Sequence, residues 1–193
     1  MSSNLGSMSD RSLPGLSDEE WQEIESGVGR VIRGDPKVAA SRGARIGLVC
    51  SLFNSSITKR LFDGALEGLK AYGISPHLVS VAWVPGAFEI PLAARRMASG
   101  NAYDAIVCLG AVIRGDTPHF DYVAGECAAG IRQVMLEVDK PVIFGVLTTE
   151  NEGQALERSE EGAGNKGYEA VTVALEMIDM FSRYLVSTRE AQS

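Results

Sequence analysis

The stretch GAVIRGDTPHFDYV (110–123) gathers most of what proton transfer on a small phosphorylated molecule requires. An apolar run gives way to Gly115-Asp116-Thr117, whose free backbone N–H groups and hydroxyl suit a phosphate, and a following helix would add its dipole. The same triplet also makes an ordinary turn and helix cap. His119 comes next. An imidazole is half protonated near neutral pH and both gives and takes protons in a multistep reaction. Asp121, two residues on, is placed to orient it or raise its basicity. The competing reading is a helix-capping histidine with no chemistry. His77, the only other histidine, opens a strand, where a surface position is the simpler account.

Other candidates are scattered along the chain. Phe53 and Phe88 offer rings on which a flat heteroaromatic molecule stacks, or else they pack a core. Glu89 can accept hydrogen bonds from such a ring's substituents or from hydroxyls. Arg158 offers a bidentate phosphate clamp, or with Glu157 it is a solvated helix face. Lys166 is flanked by glycines that permit close approach, a setting that also suits a plain helix start. No His, Cys and carboxylate set has zinc-like spacing, so no metal is expected. Neither a dinucleotide-binding GxGxxG fingerprint nor a GxxxxGK[ST] loop is read, and no nucleotide cofactor is expected.

These residues need elements to position them. Residues 45–50 read as a first strand, and Leu61, Phe62, Ala65, Leu66 and Leu69 mark an amphipathic helix ending near Gly73. A second strand spans 78–84, followed by a helix over 89–98. The nearly continuous apolar run 104–112 predicts a third strand buried on both faces. A helix over 121–138, a strand over 141–147, and helices over 154–159 and 168–185 complete the order. Alternation at this spacing implies βαβ units and a parallel sheet covered on both faces. Ligands in such folds bind beyond the carboxyl ends of the strands. The polar and glycine-rich segments at 53–54, 85–89, 114–119 and 148–151 all follow strands.

The first forty residues differ in kind. They are rich in Ser, Gly, Asp and Glu, and Pro14 and Pro36 interrupt them. Ser17-Asp18-Glu19-Glu20 has capping-box form, and Trp21, Ile24, Val28, Val31 and Ile32 fall on one helical face. Residues 1–43 are therefore expected to be an extension, partly disordered or docked on a partner. With 193 residues and a net charge of −7, one core is expected and no general attraction to nucleic acid. No apolar stretch reaches the roughly 20 residues of a membrane helix, and the N-terminus does not read as a secretory signal. Three cysteines without CxxC spacing read as buried hydrophobes in a reduced, cytoplasmic protein.

Six stretches together resemble the lumazine synthase family: Phe53-Asn54-x-x-Ile57-Thr58, VPGAFEIP (84–91), GAVIRGDTPHFDYV (110–123), PVIFGVLTTEN (141–151), QALER (154–158) and GNKG (164–167). Order and spacing agree over about 44–185, which makes 44–193 the expected family domain. The resemblance implies a three-layer α/β/α sandwich on a four-stranded parallel sheet, with an N-terminal arm pairing with a neighbouring subunit. It implies condensation of 5-amino-6-(D-ribitylamino)uracil with 3,4-dihydroxy-2-butanone 4-phosphate to 6,7-dimethyl-8-ribityllumazine, with no cofactor or metal. Carried over by residue, it implies that Phe53, Ala87, Phe88, Glu89, Ala111, Val112, Ile113, Phe144 and Lys166 bind the pyrimidine and its ribityl chain. Asp116, Thr117 and Arg158 match the phosphate site, and His119 the proton donor. Asp116 is expected to present its backbone N–H, since its carboxylate would repel phosphate. The resemblance further implies homopentamers with sites between subunits, with decamers or 60-subunit shells in some members. A lumazine- or flavin-binding protein that has lost catalysis and a mainly structural shell component are the alternatives. The first would not need Thr117 and Arg158, and the second would not need the rim residues at all.

Overall fold

The computed structural model describes residues 16–190. The interruption at Pro14 lies outside them. The chain divides into two compact units, Met1–Val31 and Ile32–Ser193. In the first, α1 (Asp18–Gly27) starts on the expected capping box. Ser17 N–H donates to Glu20 Oε2 at 2.7 Å, and Glu20 N–H donates to Ser17 Oγ at 3.3 Å. The helix stops at Gly27, with Val28 as an extended C-cap, so Val28, Val31 and Ile32 do not continue the predicted apolar face. Gly27 and Gly29 explain the stop, since each costs a helix about 1 kcal/mol relative to alanine.

The second unit holds a parallel four-stranded sheet in the order β2-β1-β3-β4. The strands are β1 (Ile46–Ser51), β2 (Val79–Val84), β3 (Ala105–Ile113) and β4 (Val142–Thr149). β1 and β3 are central and buried along almost their whole length, as their apolar runs predict. Alternate residues serve opposite faces. Leu48, Val107 and Leu109 join Leu61 and Leu69 of α3 (Ser55–Ala71) and Val171 and Leu175 of α7 (Lys166–Glu190) in one core cluster. Val49, Ile106 and Cys108 join Ile90 and Ala94 of α4 (Ile90–Ala98) and Ile131 and Val134 of α5 (His119–Val138) in the other. The result is the expected three-layer sandwich. β2 and β4 are its edges, and β2 leaves Val81 and Trp83 well exposed.

Several boundaries move. His77 does not open a strand. It sits in a helical turn, Pro76–Leu78, ahead of β2, and its Nδ1 is 2.7 Å from Ser75 Oγ. Proline fixes the φ that such a turn needs. β4 runs two residues beyond its apolar run, because Thr148 and Thr149 pair with Val112 and Ile113. Helix α2 (Pro36–Ser41), N-capped by Asp35, lies in the stretch that composition assigns to the extension, yet it is anchored on α7. Asp179, fully buried, accepts Asp35 N–H at 2.9 Å, Arg42 Nη1 at 3.2 Å and Arg183 Nε at 2.6 Å. A buried carboxylate is tolerable when it is saturated with donors in this way.

Cys50, Cys108 and Cys127 are free and buried. Burial pushes the Cys50 and Cys127 thiols up to about 12, and Cys108 well above its ordinary value. They pack as small hydrophobes and are not nucleophiles. No helix among the described residues is long and apolar enough to cross a membrane.

Candidate active site

β2 and β3 leave β1 in opposite directions along the sheet, so the crevice beyond the carboxyl ends of β1 and β3 is a topological switch point. A cavity of about 690 Å³ opens there, a size suited to one small molecule. The turn after β1 supplies Phe53 and Asn54. Segment 85–89 after β2 supplies Ala87, Phe88 and Glu89. The end of β3 supplies Ala111, Val112 and Ile113, and the loop beyond it supplies Gly115, Thr117 and His119.

Each segment is held by local bonding. Asn54 is in the left-handed region (φ 57°), which asparagine tolerates better than most residues. From there its Nδ2 donates to Ala111 O at 2.9 Å, tying the β1 turn to β3. Phe53 N–H donates to Pro85 O at 3.0 Å, which ties the same turn to the β2 segment. Ala87–Glu89 forms a helical turn just before α4. A Cβ at Gly86 would lie 3.0 Å from Glu89 Oε2, so glycine leaves room for that carboxylate to fold back.

The walls are apolar and the functional groups are free. Phe53 is 71% exposed, Phe88 57% and Tyr122 70%, so the two phenylalanines are not spent on core packing. Among the described residues, the side chains of Glu89, Thr117 and His119 make no hydrogen bond or ion pair. His119 is the first residue of α5, two residues earlier than the sequence predicts, with Pro118 as N-cap. A proline at the helix entrance costs nothing, because the first N–H groups of a helix have no intrahelical acceptor.

Asp121 does not orient His119. Its carboxylate accepts from both terminal nitrogens of the Arg114 guanidinium, at 2.9 and 3.3 Å, and these bonds hold it below the usual carboxylate range. Arg114, to which the sequence assigned no role, is the centre of a small network. It also donates to Glu150 Oε2 at 2.7 Å and lies 4.1 Å from the Phe120 ring centroid. Tyr122 and Asn54 are further cavity residues; the sequence places Asn54 on the rim with Phe53 but assigns neither residue a role. For Asn54 the signal was its residue type at a strand-to-helix turn.

Four candidates lie elsewhere. Asp116 is exposed on the loop and does not line the cavity. Phe144 projects from edge strand β4, 43% exposed, in register with Cys108. Arg158 caps α6 (Glu152–Glu157), with Nη1 donating to Gln154 O at 3.0 Å and lying 3.4 Å from Glu157 Oε2. Lys166 opens α7, pairs with Glu169 at 2.6 Å, and through its backbone N–H bonds Arg158 O at 2.9 Å. Arg158 and Lys166 are thus neighbours, at a junction separate from the cavity lining.

That junction carries a second motif. Gly162-Ala163-Gly164-Asn165-Lys166-Gly167 has GxGxxG spacing. A dinucleotide fingerprint follows a strand directly, whereas this string follows α6. Of its glycines, Gly167 serves packing, since a Cβ there would fall on the backbone of Leu61, Gly162 takes a left-handed φ of 99°, and Gly164 faces open space; across the junction a Cβ at Gly64 of α3 would fall on the Asn165 side chain.

A doubly covered parallel sheet with a cavity at its switch point, lined by aromatic faces, a free carboxylate, a hydroxyl and an imidazole, defines an α/β protein of the small-molecule enzyme class. The family model described as 6,7-dimethyl-8-ribityllumazine synthase matches residues 43–182. A 6,7-dimethyl-8-ribityllumazine synthase of Protochlamydia amoebophila (strain UWE25) is 61% identical over 137 residues, which is 71% of this chain and 80% of that relative. The chain belongs to the 6,7-dimethyl-8-ribityllumazine synthase family.

Proposed function

We propose that this chain is the transferase that condenses 5-amino-6-(D-ribitylamino)uracil with 3,4-dihydroxy-2-butanone 4-phosphate. The product is 6,7-dimethyl-8-ribityllumazine, with phosphate and water released, in the penultimate step of riboflavin biosynthesis. The supporting observation is the cavity that joins free Thr117 and His119 to exposed Phe53 and Phe88 and to Glu89. The pyrimidine stacks on Phe53. Residues 87–89 and 111–113 bind its edge and ribityl chain, with Glu89 accepting from hydroxyls.

The phosphate sits on the N–H groups of residues 116–117, the Thr117 hydroxyl and Arg158. The substrate amine attacks the ketone, water leaves and an imine forms. Phosphate then departs by β-elimination, and the second amine closes the ring with loss of water. His119 delivers and removes protons along this sequence. Holding two reactants together contributes much of the acceleration, since effective molarity alone is worth roughly 7–11 kcal/mol.

The complete site is shared between subunits of a homo-oligomer. Phe144, Arg158 and Lys166 stand outside the cavity lining and reach a neighbour's cavity across the interface of a pentamer, the unit from which decamers or shells are built. Of the extension 1–43 to the domain 44–193, the part ahead of α2 pairs with the adjacent subunit while α2 stays on α7 of its own chain, and the protein works in the cytoplasm. Mixing the two substrates with the assembled protein and following lumazine absorbance tests the assignment. Product formation at the uncatalysed rate would sink it.

A further inference from the structure

Loop 115–118 spans only four residues, but it carries Thr117 and ends on His119, and all four residues are exposed. Nothing in its own composition holds it. One side chain grips both of its ends. Arg114 is fixed to the sheet, since its N–H donates to Thr149 O at 2.9 Å. Its guanidinium then reaches past the loop to Asp121 in the first turn of α5 through two nitrogens, and to Glu150 beyond β4 through the third. The same group covers Phe120, the residue directly after His119.

We propose that Arg114 is a positioning residue: by clamping the start of α5 to the ends of β3 and β4, it sets the placement of His119 and Thr117 in the cavity. The inference rests on the functional reading above for what those two residues do. Arg114 is not itself the phosphate ligand, because both edges of its guanidinium are engaged by carboxylates. Its contribution to global stability is small, because the attraction within an exposed ion pair is screened by solvent. Its contribution to turnover is larger, since displacing a reacting group by 1 Å costs on the order of 10²-fold. That mismatch separates positioning from general support of the fold.

The test is a double-mutant cycle of Arg114→Gln and Asp121→Asn in the full-length assembled protein. Each single variant is expected to lower kcat about 10- to 100-fold while leaving KM for the pyrimidine substrate within about twofold. The double variant is expected to be no slower than the worse single, because both remove one interaction. Arg114→Lys, which keeps the charge and loses the fork, is expected to recover only part of the rate. Glu150→Gln, which frees one arm, should give a smaller loss of the same kind. Hydrogen–deuterium exchange should quicken in the peptide covering 114–121 and stay unchanged in α7. Wild-type kcat in Arg114→Gln, multiplicative losses in the double variant, or unchanged exchange in 114–121 would each overturn the clamp. A wild-type protein that forms no lumazine would instead overturn the functional reading, while the exchange data still judged the clamp.

Discussion

The cavity and the α6–α7 junction hold residues that the family resemblance draws into one site, yet they are built in opposite ways. In the cavity the side chains of Glu89, Thr117 and His119 are free, and the rings of Phe53, Phe88 and Tyr122 are exposed. At the junction every named side chain is engaged within the chain: Arg158 with Gln154 O and Glu157, Lys166 with Glu169, and buried Asn165 with four backbone groups. Free groups suit proton transfer and ligand contact. Engaged cations suit holding a charge in place, and the Arg158–Glu157 contact at 3.4 Å is exposed enough for a phosphate to displace it at little cost.

The sharpest way to break this contrast is to remove His119. His119→Ala is expected to lower kcat by about 10- to 10⁴-fold, the range from modest to full general acid–base contributions. Folding stability should change by less than about 0.5 kcal/mol, because the side chain is exposed and unpartnered. Steady-state kinetics beside a denaturant titration measures both. Wild-type turnover would return His119 to a mere helix-start residue.

Arg158→Ala addresses the junction. Loss of charge-assisted hydrogen bonds worth about 1.5–3 kcal/mol should raise KM for the phosphorylated substrate roughly 10- to 100-fold, with the pyrimidine KM little changed. Co-assembling His119→Ala with Arg158→Ala subunits then tests whether the two regions meet across chains. Random pairing restores both wild-type residues at about one site in four. Activity below the wild-type KM should therefore exceed the mean of the two parent assemblies. A mixture that equals that mean would place both residues in the same chain's site.

The fold and the cavity differ in how legible they were. β1 and β3 could be read from the sequence because strands covered on both faces must be apolar throughout, and their ends then pointed to segments 53–54, 85–89 and 114–119. Edges were harder. Thr148 and Thr149 belong to β4 by hydrogen-bond register, which side-chain polarity does not report. Asp121 looks like a partner for His119 because it is near in sequence, but Arg114, seven residues away, takes it, and the same guanidinium pairs with Glu150 36 residues on, which no local pattern carries. For the same reason Arg158 and Lys166 read as two separate helix residues. Only the backbone bond between them makes them one place.

Asn165 offers the mildest and most local perturbation of the junction. It is 2% exposed, and its Nδ2 shares two N–H groups among Arg60 O at 3.1 Å, Ser159 O at 3.0 Å and Glu160 O at 3.0 Å, while Oδ1 accepts Gly167 N–H at 2.8 Å. The side chain thus fastens α3, the loop after α6 and the start of α7 at one point. Asn165→Ala removes all four bonds and leaves buried backbone groups unpaired, at an expected cost of about 1–3 kcal/mol measured by denaturant titration. Because Lys166 is the next residue and bonds Arg158 O, the slack should pass to those two cations and raise KM for the phosphorylated substrate slightly. Nothing ties Asn165 to loop 115–118, so kcat at saturation should hold. A kcat loss approaching that of His119→Ala would mean that the junction sets the geometry of the chemistry as well, and the division between a free half and a fastened half would fail.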